Sequence, residues 1–162
     1  MLTKLLAGVV AISMSIAPVW AGEFGSSSEA LALVKTVQAR FANDGPTATF
    51  AAITNQAPEF GTKDLYVFVY DLNGTLVAHG GDRALVGQNR HSIKDANGKL
   101  VVSEILNVVR QSGRGWVDYS WPNRVSVDDM SSYVERLGDK YIVGVPVFRS
   151  NDLRPVHARN EN

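Results

Sequence analysis

The stretch DLYVFVYDLNGTLVAH, Asp64 to His79, decides how the rest of the chain is read. Every residue from Leu65 to Tyr70 is aliphatic or aromatic, and the run stops at Asp71, Asn73 and Gly74, residue types that suit a tight reversal. The apolar character resumes at Leu76 and Val77. So much β-branched and aromatic content in so short a run predicts two strands joined by a turn, not a helical stripe. Alternation along the first strand sends Leu65, Val67 and Val69 to one face and Tyr66, Phe68 and Tyr70 to the other. One face is then aliphatic and suited to packing. The other carries rings and hydroxyls and is suited to recognition.

Working outward, the N-terminus sets the compartment. Lys4 precedes the apolar stretch Leu5–Ala17, followed by the small-residue pattern Val19, Trp20, Ala21, which is the layout of a secretory signal peptide cut after Ala21. The apolar stretch is short of the roughly 20 residues that span a bilayer, and an uncleaved membrane anchor is the alternative. Removing residues 1–21 from 162 leaves 141, enough for one domain with its own core. Lys4 leaves with the signal, so the basic residues number one fewer than the 16 acidic ones. That balance does not suit nucleic acid. With no cysteine, disulfides, zinc thiolate sites and thiol nucleophiles are all excluded.

Between the signal and the hairpin, Ser26-x-x-Glu29 reads as a capping box ahead of Leu31, Leu33, Val34, Val37 and Phe41 at helical spacing. That helix should end near Asn43, Asp44 and Gly45. Pro46 opens a second, shorter one with Phe50 and Ile53 on its apolar face, ending before Pro58. The first helix reads either as a stalk coupling a sensor to a partner or as a cover for the aliphatic sheet face, and the cover is the simpler reading. After the hairpin, Gly80–Lys99 is a long connection rich in glycine, charge and amides. Connections of that length in small domains are more often functional lids than spacers, and Leu85, Val86 and Ile93 would pin it to the core. The D-x-N-G of Asp95–Gly98 hints at a calcium loop. Its twelfth position is Leu106 and not glutamate, so DANGK reads as a turn and no metal is implied.

Leu100–Gln111 predicts a helix closed by Arg110 and Gly113. GRGWVDYSWP, MSSYVERL and KYIVGVPVF are three further strand candidates, the last two joined at Gly138-Asp139 into a second hairpin. Helices and strands do not alternate as β-α-β, so the expectation is an α+β domain with a five-stranded antiparallel sheet. The boundaries that follow are 1–21 for the signal, 22–148 for the domain and 149–162 for a polar tail. Trp116, Tyr119, Trp121 and Tyr133 cluster in sequence beside an already aromatic hairpin. Buried hydroxyls and indole N–H groups need partners, so the cluster suits a small polar ligand as well as it suits a ring-rich core. Alternation puts Tyr119 and Trp121 on one face and Trp116 with Asp118 on the other, unless the strand bulges.

FVYDLNGTLVAHGG, LVGQN, KDANGKLVV, GWVDYSWPN, SSYVER and YIVGVPVF, taken in this order, resemble the motifs of single Cache domains, the PAS-like extracytoplasmic modules of bacterial sensors, over roughly Ser26–Phe148. The resemblance implies a PAS-like fold, with a long N-terminal helix against a five-stranded antiparallel sheet whose other face binds a small ligand, often a short organic acid. It implies a ligand-binding set of Tyr70, His79, Trp116, Tyr119, Trp121, Met130 and Tyr133. Many relatives carry a lysine at the position of Met130, where it meets a carboxylate. Arg83, Arg90 and Arg124 are the candidate anion partners in its place, and without one of them a neutral or more apolar ligand is implied. Sensors with this module usually continue into a kinase or chemotaxis domain. Here the expectation is a free-standing periplasmic or secreted module that presents its ligand to a membrane sensor kinase or chemoreceptor, or scavenges it.

Three functions compete: a small-molecule binder, a hydrolase or other enzyme, and an interaction domain with a closed pocket. His79, His91 and His157 are far apart, no G-x-S-x-G is present, and no His-x-x-x-His or His-Glu pair offers metal spacing. No catalytic residue and no cofactor is therefore expected, and binding without turnover is the leading reading. If His79 acts as a donor to a bound carboxylate, affinity should fall as pH rises through its pKa.

Overall fold

The computed structural model describes residues 24–122 and 125–149. The expected signal at 1–21, the tail from Ser150 and Arg124 lie outside them. Helix α1 (Ser27–Thr54) begins at the capping box, where Glu29 N–H donates to Ser26 Oγ and Ser26 N–H donates to Glu29 Oε2. Lys63 pairs with the same carboxylate at 2.9 Å and, with Ser26, holds the Glu29 pKa down to about 2. Gly45 (φ 77°, ψ 177°) breaks the helical backbone just before Pro46, so α1 is two helical segments joined at a kink, as the residue types there predict. Thr49 Oγ1 donates to the Gly45 carbonyl at the break.

Five strands follow: β1 (Phe68–Asp71), β2 (Leu76–His79), β3 (Arg114–Pro122), β4 (Val127–Leu137) and β5 (Tyr141–Phe148). They form one antiparallel sheet in the order β2-β1-β5-β4-β3. Helix α2 (Val101–Ser112) lies between the two hairpin regions in sequence and ends at Gly113 in the left-handed conformation. Strand β4 starts at Val127, three residues earlier than MSSYVERL suggests, because the β3–β4 ladder runs unbroken out to Pro122↔Val127.

The turn between β1 and β2 and the turn before α2 are the same structure built from the same phrase. In DLNGT, Asp71 Oδ1 accepts from Asn73 N–H and Thr75 N–H at 2.9 and 2.8 Å, and Gly74 sits at φ 82°. In DANGK, Asp95 Oδ1 accepts from Asn97 N–H and Lys99 N–H at 2.9 and 2.8 Å, and Gly98 sits at φ 82°. A positive φ of this kind favours glycine. Asp95 also accepts Ser120 N–H from β3 on its other oxygen, and these backbone donors, Ser120 foremost, hold its pKa below the usual carboxylate range.

Two apolar layers sandwich the sheet. Ala30, Leu33, Val34, Val37 and Ile53 of α1 pack on Leu65, Val67, Val69, Val143, Val145 and Val147. On the other face, Val101, Val102, Ile105, Leu106 and Val109 of α2 pack with Phe68, Tyr70, Leu76, Val117 and Ile142. The first helix therefore covers the aliphatic face, and Tyr66, Phe68 and Tyr70 point the other way, as alternation requires.

Gly144 of β5 lies directly beneath Phe68, and a Cβ added there would run into the ring. Gly144→Ala is expected to destabilise the domain by about 1–3 kcal/mol through overpacking, and Phe68→Leu in that background should couple favourably with it in a double-mutant cycle read by chemical denaturation.

Candidate ligand-binding site

The ring-bearing face of the sheet is only partly filled by α2. A cavity of about 350 Å³ lies between it and a roof made from α2 and the Gly80–Lys99 connection. The sheet supplies Tyr66, Phe68 and Tyr70 from the β1 segment, Leu76 and His79 from β2, Tyr119 and Trp121 from β3, and Met130 and Ser132 from β4. The roof supplies Gly81, Asp82, Leu85, Arg90 and Ile93 from the connection and Val101, Val102 and Ile105 from α2. Leu85 and Ile93 pack on the second core, as anticipated for the residues that pin this connection.

Five of the seven residues expected at a ligand site come together here: Tyr70, His79, Tyr119, Trp121 and Met130. Trp116 and Tyr133 do not, and this corrects the expectation. The β3–β4 register runs from Arg114↔Glu135 to Pro122↔Val127 without a bulge, so strict alternation turns both rings toward α1. There they meet each other at 5.3 Å, and Tyr133 donates to Glu135 Oε2 at 2.9 Å. Burial, reinforced by that bond to Glu135, pushes the Tyr133 phenol up to about 12. Of the three candidate anion partners, Arg90 lines the cavity, whereas Arg83 reaches the other way to Asn55 Oδ1.

Tyr66, Phe68 and Ser132 also line the cavity, outside the set expected from sequence. For the two rings the signal was present, because they share the face of Tyr70.

His79 is held in one protonation state. Its Nδ1 lies 3.1 Å from Gly81 N–H and 2.7 Å from Asp82 N–H. A backbone N–H only donates, so Nδ1 must accept, and the ring proton sits on Nε2 of a neutral imidazole. Burial lowers the His79 pKa further; Asp82 opposes this and Arg90 adds to it. The Tyr66 ring packs on the imidazole at 4.9 Å. His79 thus offers a neutral N–H donor at pH 7, and it needs no added proton to donate.

The tyrosines are held as donors too. Burial pushes Tyr70 up to about 12 against the pull of Arg90, and it raises Tyr66 and Tyr119 as well. Tyr66 and Tyr70 also raise Tyr119, so the three phenols are close enough to sense one another. Tyr119 Oη and Ser132 Oγ satisfy each other at 2.8 Å. Tyr66 and Tyr70 have no hydrogen-bond partner among the described residues. Arg90 is half-buried and its side chain meets only Gln88 Oε1, at 3.4 Å, with no carboxylate partner among the described residues.

An antiparallel sheet backed by a long helix, with a roofed cavity of rings and directed donors on its free face, defines a PAS-like ligand-sensing domain. The chain belongs to the single Cache domain 2 family, whose pattern matches residues 29–139. It is similar to the sensor histidine kinase MctS of Rhizobium johnstonii, with 30% identity over 125 residues, a span covering 74% of this chain and 26% of that protein. The chain thus spans about a quarter of that relative's length. It is also similar to the solved periplasmic sensor domain of a chemotaxis protein, at 28% identity and a TM-score of 0.57 over 75% of this chain and 89% of that one. A Cache chemosensory domain solved for carboxylic acid recognition shares the fold at 24% identity and a TM-score of 0.57, over 75% of this chain and 87% of that one.

The state of His79 sets a pH signature. An unfolded histidine titrates near 6.5 and the folded value is lower, so the unfolded chain takes up the proton first. Stability is therefore full above about pH 6.5 and is lost as pH falls from there through the folded value. Denaturation midpoints measured from pH 7.5 to 5 should fall. His79→Asn, which keeps an acceptor for the two N–H groups but does not titrate, should flatten the slope.

Proposed function

We propose that this protein is an exported sensory module that binds a small organic acid without transforming it and presents the occupied state to a membrane signalling partner such as a sensor kinase or chemoreceptor. The observation that carries this reading is Arg90, a half-buried guanidinium in the cavity wall with no carboxylate partner among the described residues. It sits near Tyr70 and His79, whose pKa values it lowers. A ligand carboxylate supplies the missing charge, and the Tyr66 and Tyr70 hydroxyls and His79 Nε2–H supply the remaining donors. With methionine at position 130, no cation lines that side of the cavity among the described residues, and Arg90 takes over the anion role from the connection above. The carboxylic acid recognition described for a Cache chemosensory domain of the same fold supports the same ligand chemistry. Export is supported by the apolar Leu5–Ala17 stretch and its small-residue cut site. A space of about 350 Å³ counts against the alternative of an interaction domain with a closed pocket.

Titration calorimetry of the purified protein against a panel of small monocarboxylates tests the reading. Arg90→Ala should weaken the best acid by about 10- to 100-fold, the equivalent of a charge-assisted hydrogen bond of about 1.5–3 kcal/mol. With His79 neutral, affinity should stay level between pH 7 and 8.5. Unchanged affinity in Arg90→Ala would remove the arginine from the site, and conversion of the acid during incubation would replace the binder with an enzyme.

A further inference from the structure

The unpartnered hydroxyls and the charge of the cavity lie on one side, interleaved there with Phe68, Leu76, Leu85 and Ile93. Arg90, His79 and the two phenols without partners, Tyr66 and Tyr70, all belong to the β1–β2 hairpin and the connection that follows it. On the β3–β4 side, Tyr119 and Ser132 already satisfy each other, and beyond them stand the large indole of Trp121, with one N–H, and the thioether of Met130. Tyr119 and Trp121 meet edge to face at 5.9 Å. The strand order places β1 and β3 three spacings apart, roughly 14 Å between backbones. A volume of about 350 Å³ is about a dozen waters' worth at ~30 Å³ each. A two- or three-carbon acid would engage one end and leave water against the apolar walls.

Charge restricts the ligand further. Arg90 is the one cation among the described lining residues, and Asp82 is the one carboxylate. Asp82 caps the short turn at Arg83–Leu85 by accepting Ala84 N–H and stands beside His79. A second negative charge on the ligand would find no cation of its own among the described residues and would face Asp82.

We propose that the cavity takes a monocarboxylate with an aromatic ring or a comparably bulky apolar body, its carboxylate at Arg90 and its body against Trp121 and Met130. This rests on the organic-acid reading above and narrows it. Polarizable sulfur and ring edges give such a body favourable contacts, and each apolar group moved from water into the cavity adds affinity that a two-carbon acid lacks.

Calorimetry with acetate, propionate, phenylacetate, 3-phenylpropionate and neutral 3-phenylpropanamide tests the proposal on the wild-type protein. The expected result is 3-phenylpropionate or phenylacetate binding at least about tenfold more tightly than propionate, with the amide at least about tenfold weaker than its acid. Met130→Lys should narrow or reverse the preference for the aryl acids over propionate, and Trp121→Leu should weaken the aryl acids by a larger factor than it weakens propionate. Acetate or propionate binding as tightly as the aryl acids overturns the size assignment and leaves the organic-acid reading standing. Equal binding of the amide overturns the carboxylate reading beneath it, as does the absence of heat from every acid. Should Trp121→Leu fail to fold, as judged by circular dichroism, Trp121→Phe gives the same comparison with a smaller loss.

Discussion

The structure depends on one two-faced segment. Leu65, Val67 and Val69 enter the layer under α1, while Tyr66, Phe68 and Tyr70 enter the layer under α2 and the cavity. The side-chain period of a strand is two, so a slip of one residue would exchange the sets, burying hydroxyls against the helix and presenting valines to the ligand space. The register is pinned from both sides. Strand β5 pairs Phe68↔Gly144 through Asp71↔Tyr141, and β2 pairs Phe68↔His79 and Val69↔Ala78 before a shift at Tyr70. Gly144 leaves room for the Phe68 ring at one level of that ladder and no other. Specificity for the fold and position of the cavity are therefore set by the same few residues.

Much of this was legible in the residues because local chemistry and the global fold agree. The capping box at Ser26, the break at Gly45-Pro46 and the left-handed end at Gly113 each require a particular residue type, and each fell where that type stands. The two D-x-N-G phrases fold alike although one joins two strands and the other precedes a helix, because an aspartate accepting two backbone N–H groups is satisfied within five residues. Alternation along GWVDYSWP had already separated Trp116 from Tyr119. Only a bulge could have reunited them, and the ladder has none.

The rest depends on contacts remote in sequence. Helix α2 shows the spacing of a packing helix, yet its first turn also forms part of the roof, which only its angle to the sheet decides. Three arginines in polar loops look equivalent on paper. What separates Arg83 from Arg90 is that Asn55, 28 residues away, captures one of them. The tautomer of His79 depends in the same way on groups that the residue type does not reveal, the main-chain donors at Gly81 and Asp82, whose direction follows from the turn they form.

Tying the roof to the sheet through main-chain donors has an evolutionary corollary. At position 82 every amino acid except proline brings an N–H, so the bond to His79 survives a change of side chain, although the cap that Asp82 places on Ala84 N–H does not. Position 81 is less free, because a Cβ would come within 3.2 Å of the His79 ring and 3.3 Å of the Tyr66 ring, and glycine avoids both. The cover is tied down at several points, by the imidazole of His79, by main-chain bonds from Gly87 to Leu76 and from Arg90 to Gly74, and by Leu85 and Ile93 in the core, so what can drift without loosening it is confined to the side chains between those ties.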